Sequence, residues 1–330
     1  MFLDAAGNTL YYIRRVDGLE TLFAWQPDHP RGEFHAALAS SPGRLMAWPF
    51  GRCVLVCDGW PRLPDGNLSF SVLDSQRIAA LLEKQPRQFH ELLTDVPRLT
   101  SVTREHAALA PALFDGLRGS VCRVPGFAQM EPDLPPVPAM YVIDGQAATA
   151  HVQALSFLPP TTIPASLYAQ PDGRRFWLTV SDSSHLFVLN ENMELVGDVF
   201  WPSEQKGLAR VAFCASRREA WVSAQGSVFI YDTVTLKLAG EIVVDDTLRW
   251  HRGERVRGFL GGVTFNRAQT RVLLARPLQG DVLEIDAAQR RVLAQHPMTV
   301  DPLELAGAPS QGRIYVQGLR SGAISWFPCP

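Results

Sequence analysis

The chain lacks several things that would narrow its chemistry. Of its 31 basic residues only Lys84, Lys206 and Lys237 are lysines, and 33 acidic residues bring the formal charge to −2. That near-neutral balance excludes the broad positive surface of a nucleic-acid binder and any general pull toward anionic membranes. No stretch approaches the roughly 18 apolar residues of a membrane span. The opening MFLDAAGNTLYYIRR has no basic stretch followed by an apolar core, so no signal peptide is read. Five cysteines stand at 53, 57, 122, 214 and 329 without a Cys-x-x-Cys pair, which removes the common zinc and redox spacings. Cys53 and Cys57 share the strand-like RCVLVCD, where about 13 Å between their Cα atoms is too far for a disulfide. Buried free thiols in a reduced, cytoplasmic protein are the expectation. The eight histidines (29, 35, 90, 106, 151, 185, 251, 296) show no metal spacing, and no nucleophile-elbow, phosphate-loop, dinucleotide or haem-attachment motif occurs. No residue earns a catalytic role on these grounds, and no metal or cofactor is expected.

What the chain does have is a recurring unit. Residues 174–199 read RRFWLTVSDSSHLFVLNENMELVGDV and residues 217–243 read RREAWVSAQGSVFIYDTVTLKLAGEIV. Each is an apolar strand, a polar turn, a strand ending in Asp or Asn, a short turn and a further strand. The strand end recurs as FSVLD (70–74), YVID (141–144), FVLN (187–190), FIYD (229–232) and LEID (283–286). An Asp or Asn there can bond the backbone of the following turn, which is why the type is favoured. A second set of turns lies upstream, at GN (7–8), GR (51–52), LRGS (117–120), DGRR (172–175), SRRE (216–219), RAQT (267–270) and SQGR (310–313). That set makes seven units. A unit of about 40–50 residues and four strands is the signature of a propeller blade, which buries its faces only by stacking on neighbours.

The expected fold is therefore all-β, a seven-bladed β-propeller of four-stranded antiparallel blades in one domain over residues 1–330. The blades fall near 1–40, 44–86, 107–156, 164–202, 208–246, 259–300 and 302–330. Arg77 to Leu82 is read as the outer strand of the second blade, and a short helix is expected as an insertion within 86–116. The last unit holds three strands, so its outer strand is either missing or supplied by the N-terminal MFLD. Trp177 and Trp221 hold matching positions in adjacent units (RRFWL and RREAWV) and should be buried between blades.

The units at 176–199, 220–242 and 313–327 resemble the YVTN-type repeats of seven-bladed bacterial propellers. The likeness covers residues 164–330 and extends to the N-terminal half only by extrapolation. That superfamily includes lactonases acting on phosphorylated sugar lactones, heavy subunits of quinoprotein amine dehydrogenases and many non-catalytic binding proteins. Its repeats are scaffold motifs, so the resemblance implies a fold and carries over no catalytic residue.

In such a fold, loops between the second and third strands and loops between blades emerge on one face. That face should receive 57–67, 124–138, 181–185, 201–207 and 245–258. The last run, DDTLRWHRGERVRG, is the most eventful, with Arg249, Arg252, Arg255 and Arg257 around Trp250 and His251. Guanidinium forks beside an indole suit a carboxylate, a phosphate or a protein partner; the bland alternative is a solvated loop whose arginines pair with Asp245, Asp246 and Glu254. Trp60 with Arg62, the proline-rich 124–138 segment, and His185 at the start of a third strand are the remaining candidates. The leading functional expectation is a non-catalytic binding or scaffold protein for a protein partner or small anionic ligand. A lactonase-like hydrolase and a propeller subunit of a quinoprotein-type oxidoreductase are the alternatives.

Overall fold

The computed structural model describes residues 1–4, 9–16, 19–26, 33–37, 44–47, 53–58, 69–74, 94–95, 107–108, 121–128, 134–144, 147, 149–181, 183–201, 209–245, 249–251, 254–256, 258–308 and 312–329. The chain divides into two compact units, Met1–Pro164 and Ala165–Pro330.

The first unit carries three four-stranded sheets. In chain order their strands are β1 (Phe2–Asp4), β2 (Thr9–Val16), β3 (Leu19–Trp25), β4 (Glu33–Ala37), β5 (Arg44–Ala47), β6 (Cys53–Asp58), β7 (Ser69–Asp74), β8 (Thr94–Asp95), β9 (Ala107–Ala108), β10 (Val121–Ala128), β11 (Val137–Asp144) and β12 (Thr149–Ala154). The first two sheets follow chain order, whereas the third runs β10-β11-β12-β9.

The second unit holds three more four-stranded sheets, one three-stranded sheet and a hairpin, all in chain order. The fourth sheet is β13 (Pro164–Ala169), β14 (Arg175–Val180), β15 (His185–Asn190) and β16 (Leu195–Phe200). The fifth is β17 (Arg210–Cys214), β18 (Glu219–Ala224), β19 (Ser227–Asp232) and β20 (Leu238–Val243). The hairpin of β21 (Arg249–His251) and β22 (Glu254–Val256) comes next. The sixth sheet is β23 (Val263–Phe265), β24 (Arg271–Arg276), β25 (Asp281–Asp286) and β26 (Arg291–Pro297). The seventh is β27 (Pro302–Ala308), β28 (Arg313–Gly318) and β29 (Ile324–Pro328). Seven antiparallel sheets, each a blade of the expected kind, bear out the all-β propeller reading.

Burial explains the sequence of each strand. The second strands RFWLTV, EAWVSA, RVLLAR and RIYVQG are buried almost throughout, because a neighbouring sheet covers each face. They read as continuous apolar runs rather than as alternation. The fourth strands LVGDVF and LAGEIV bury one residue each, Val199 and Ile242. Trp177 and Trp221 are both 0% exposed, as their matching positions required. Trp177 belongs to the core shared by the fourth and fifth sheets, and Trp221 to that shared by the fifth and sixth. Tyr11, Tyr141 and Tyr315 are the corresponding buried aromatics of the first, third and seventh sheets.

The turns work as their side chains dictate. Asp232 Oδ1 accepts from the Val234 and Thr235 N–H groups, Asp286 Oδ1 from Ala288 and Gln289, and Asn190 Oδ1 from Asn192 and Glu194. The other turn set places Gly173, Arg218, Gln269 and Gly312 at positive φ, 71°, 55°, 55° and 60°. Two of the four are not glycine, and they hold the strained left-handed form because neighbours fix the turn.

Several expectations fail. YVID does not end a third strand followed by an outer one. It ends β11, and the strand after it, β12, is flanked on its far side by β9 through Thr149↔Ala108 and Ala150↔Ala107. The outer place is thus filled from earlier in the chain. The outer strand of the second sheet is Thr94–Asp95, not 77–82, which lie outside the described residues. Within 86–116 only Thr94–Asp95 and Ala107–Ala108 are described, both as strand, so the expected helix falls outside. MFLD does not complete the last blade, because β1 pairs with β2 in the first sheet. The segment 124–138 is not one loop: its ends belong to β10 and β11, paired through Phe127↔Pro138 and Val124↔Tyr141.

Candidate functional site

The arginine-rich run is not an irregular loop. It contains an antiparallel hairpin in the register Arg249↔Val256, Trp250↔Arg255 and His251↔Glu254. Only Arg252 and Gly253 separate the two strands.

Its stem is held from several sides. The Val244 and Asp245 N–H groups both donate to the Gly226 carbonyl in the β18–β19 turn, at 2.9 and 3.0 Å. Arg276, at the end of β24, donates to the Val244 carbonyl at 3.2 Å. The same guanidinium makes two bonds to the Asp281 carboxylate, at 2.7 and 2.6 Å, and both residues are buried. A bidentate charge-assisted pair of this kind fixes geometry as well as adding energy. From the β24–β25 turn, the Gln279 amide donates to the Asp245 carboxylate. Gly258 lies against that carboxylate so closely that any Cβ would overlap it. Asp245 and Gly258 bracket the insertion, so its two ends are pinned together. The hairpin rises on the side of the fifth and sixth sheets where the turns between second and third strands lie, as expected.

The candidate residues are distributed unevenly. Arg249, Trp250 and His251 form β21, and Arg255 is in β22. Arg252, Arg257, Trp60 and Arg62 lie outside the described residues. His185 begins β15 as expected, but it turns to the outer strand of its own sheet rather than to the stem. Its Nδ1 is 3.4 Å from Asp198 Oδ2, and its ring lies 6.4 Å from Phe187 and 6.0 Å from Phe200. The pair is about half exposed, where an ion pair contributes little.

A second polar group went unread in the sequence. Arg210 in β17 donates from Nε and Nη2 to Glu304 Oε1 in β27, at 3.1 and 2.6 Å. The partners are 94 residues apart, a separation that no local motif reveals. Backbone closeness accompanies this contact. Gly262 N–H donates to the Leu303 carbonyl at 2.6 Å, and a Cβ on Gly261 would collide with that carbonyl. Burial alone would raise the Glu304 carboxyl, yet the Arg210 charge outweighs it and holds the group below its usual range. Burial pushes the neighbouring Tyr168 hydroxyl up, opposed by Arg210. The arrangement is a charge clamp between first strands: the carboxylate stays ionised and the guanidinium is engaged by it. The signal for the Arg276–Asp281 pair was local, an Arg and an Asp facing each other across the tight turn RPLQGD.

Among the described residues no group of three or more His, Cys, Asp or Glu side chains is placed to hold a metal ion. No helix there is long and apolar enough to cross a membrane.

No protein-family model and no curated protein matches the sequence. Solved structures do match in shape. The β-propeller domain of Cps50 (Swd1) from Myceliophteria thermophila aligns with a TM-score of 0.58 and 13% identity, over 99% of this chain and 95% of that one. A chain of the mitotic checkpoint complex gives 0.61 and 8%, over 97% and 83%. Hydrazine synthase from Kuenenia stuttgartiensis gives 0.63 and 15%, over 99% and 94%. At such identities the likeness speaks for architecture alone, and over nearly its whole length the chain has the β-propeller fold.

Proposed function

We propose that this chain is a non-catalytic binding scaffold whose hairpin-bearing face captures a protein partner or a small anionic ligand. The observation that carries the reading is the hairpin stem. Asp245, Gly258, Gln279 and the buried Arg276–Asp281 pair fix the base of a segment rich in Arg and Trp. Preorganisation lowers the ordering cost of binding, and Trp and Arg are the types that concentrate binding energy. Propeller neighbours that sit in protein assemblies, such as the chain in the mitotic checkpoint complex, support a protein partner over a small ligand. The YVTN-type kinship of 220–242 and 313–327, a single domain over 1–330 and a cytoplasmic setting for the free Cys214 and Cys329 thiols belong to the same reading.

The test is a quantitative pull-down from the native host with wild type and an Arg252→Ala/Arg255→Ala double variant. Loss of at least one partner at unchanged melting temperature is expected, since an Arg at an interface hot spot costs about 2 kcal/mol or more on truncation. Identical partner sets would return these arginines to the role of a solvated surface.

A further inference from the structure

Six of the seven sheets have four strands, and the seventh stops at β29. We infer that the outer edge of β29 is a seat for an extended segment of a partner protein, added as the missing fourth strand. The inference is independent of the hairpin and rests on the chain's own repeats.

The backbone shows which groups face outward. Cys329 N–H donates inward to the Gly312 carbonyl at 2.7 Å, and Gly318 N–H donates to the Ala323 carbonyl at 2.9 Å. Odd-numbered residues therefore bond to β28, and strand alternation turns the N–H and C=O groups of Ile324 and Trp326 outward. The Pro328 carbonyl faces the same way without a donor beside it. The Gly322 carbonyl extends this row, and its equivalents are filled in other sheets. Gly226 accepts from Val244 at 2.9 Å, and Gly280 accepts from Met298 at 2.8 Å, where the chain leaves each fourth strand. Among the described residues no strand pairs with β29 on this side.

This edge differs from the edges the protein presents elsewhere. The fourth strands β16, β20 and β26 each pair across a register shift, and each includes a charged or ionisable residue, namely Asp198, Glu241, or Arg291 with His296. Bulges and inward-facing charges are the usual protection of exposed edges. β29 pairs with β28 without a shift, and its sequence ISWFP holds no charge. Trp326 is 48% exposed, with the Arg313 guanidinium 4.6 Å from its ring centre.

The fourth strands already present define the chemistry of the guest. LVGDVF (195–200) and LAGEIV (238–243) share one pattern of Leu, any residue, Gly, an acid, a β-branched residue and an apolar residue. In both, the glycine lies opposite the residue equivalent to Trp326 (Val188↔Gly197 and Ile230↔Gly240), and the β-branched residue is the buried one. A glycine there leaves room for the indole of Trp326. The seat accepts an antiparallel segment of this pattern through main-chain bonds, the mode known as strand addition.

The probe is a synthetic peptide of residues 237–244, KLAGEIVV, added to the full chain. Residue-by-residue amide exchange by NMR should find Ile324 and Trp326 exchanging much faster than Ser325 and Phe327 in the free protein. The peptide should then protect Ile324 and Trp326 saturably. A peptide N-methylated at its Gly240 and Ile242 amides should bind about tenfold or more weakly, because two main-chain bonds are lost. Protection of both amides in the free monomer would overturn the proposal by showing the seat filled from within the chain. Protection that accompanies a doubled mass in solution would overturn it in favour of a second copy. Open amides that the peptide fails to protect, or equal binding of the methylated peptide, would overturn it as well.

Discussion

The fourth and fifth sheets are near copies in backbone, yet they handle polar groups differently. Trp177 and Trp221 occupy the same place, and each makes an edge contact with an aromatic of the next sheet, at 5.8 Å to Phe213 and Phe265. Trp221 Nε1 donates to Glu219 Oε2 at 3.0 Å. At the corresponding place the fourth sheet has Arg175, which instead donates to the Thr233 and Val234 carbonyls of the fifth sheet. Trp177 Nε1 is buried with no partner among the described residues. Glu219 also takes Arg290 from the sixth sheet, at 3.0 Å, and Arg217, at 3.3 Å. The repeat thus specifies shape, while the polar links between sheets are written separately at each junction.

The two tryptophans give the largest way to break this comparison. Replacing either by Ala should cost about 3–5 kcal/mol from lost burial and the cavity left behind, with Trp221 at the upper end. Trp to Phe separates them more cleanly. At 221 the change removes a donor from a buried carboxylate and should cost about 1–2 kcal/mol more than at 177, where no bond is lost. Denaturant unfolding of both pairs checks the order, and equal costs for the two Phe variants would show that the Glu219 bond contributes nothing.

Gly197 and Gly240 sharpen the same contrast. A Cβ at 197 would meet the free end of Leu236 at 2.9 Å, which can turn aside. A Cβ at 240 would collide with the Arg290 guanidinium, itself held by Glu219 and the Ala239 carbonyl. Gly240→Ala should therefore cost about 1–3 kcal/mol and Gly197→Ala clearly less, as read from melting temperatures.

The smallest effect is in acid. Asp232 is held below the usual carboxylate range, first by the Thr235 N–H and then by the Val234 N–H, with desolvation opposing. A folded-state pKa below the unfolded one gives stability that is complete above about pH 4 and lost as pH falls through the folded value. Asn190 fills the same turn in the fourth sheet and does not titrate. Asp232→Asn should flatten the acid limb of a stability–pH curve, and Asn190→Asp should steepen it.

How much of this was legible follows from the same contrast. The Asp and Asn turn residues, the left-handed turns and the buried tryptophans are local, and short-range chemistry marked them. That chemistry identifies a turn but not its place in a sheet. Asp144 bonds the Ala147 N–H like the others, and so YVID was misplaced in its blade. Strands as short as Thr94–Asp95 and Ala107–Ala108 are set by pairing alone and leave no periodicity to read. The arginine run was found by composition. Its hairpin and its buried Arg276–Asp281 footing depend on contacts between sheets, as does the Arg210–Glu304 clamp.

The connection between the fourth and fifth sheets carries no hairpin, whereas that between the fifth and sixth does. The account holds that this insertion serves binding and not folding. Joining Asp245 directly to Gly258, two residues already packed together, removes it with little disturbance to either sheet. The most direct measurement is partner capture from the native host by this excised variant, with its melting temperature taken in parallel. The account predicts lost capture and a nearly unchanged melting temperature. Capture equal to that of the wild type would contradict it.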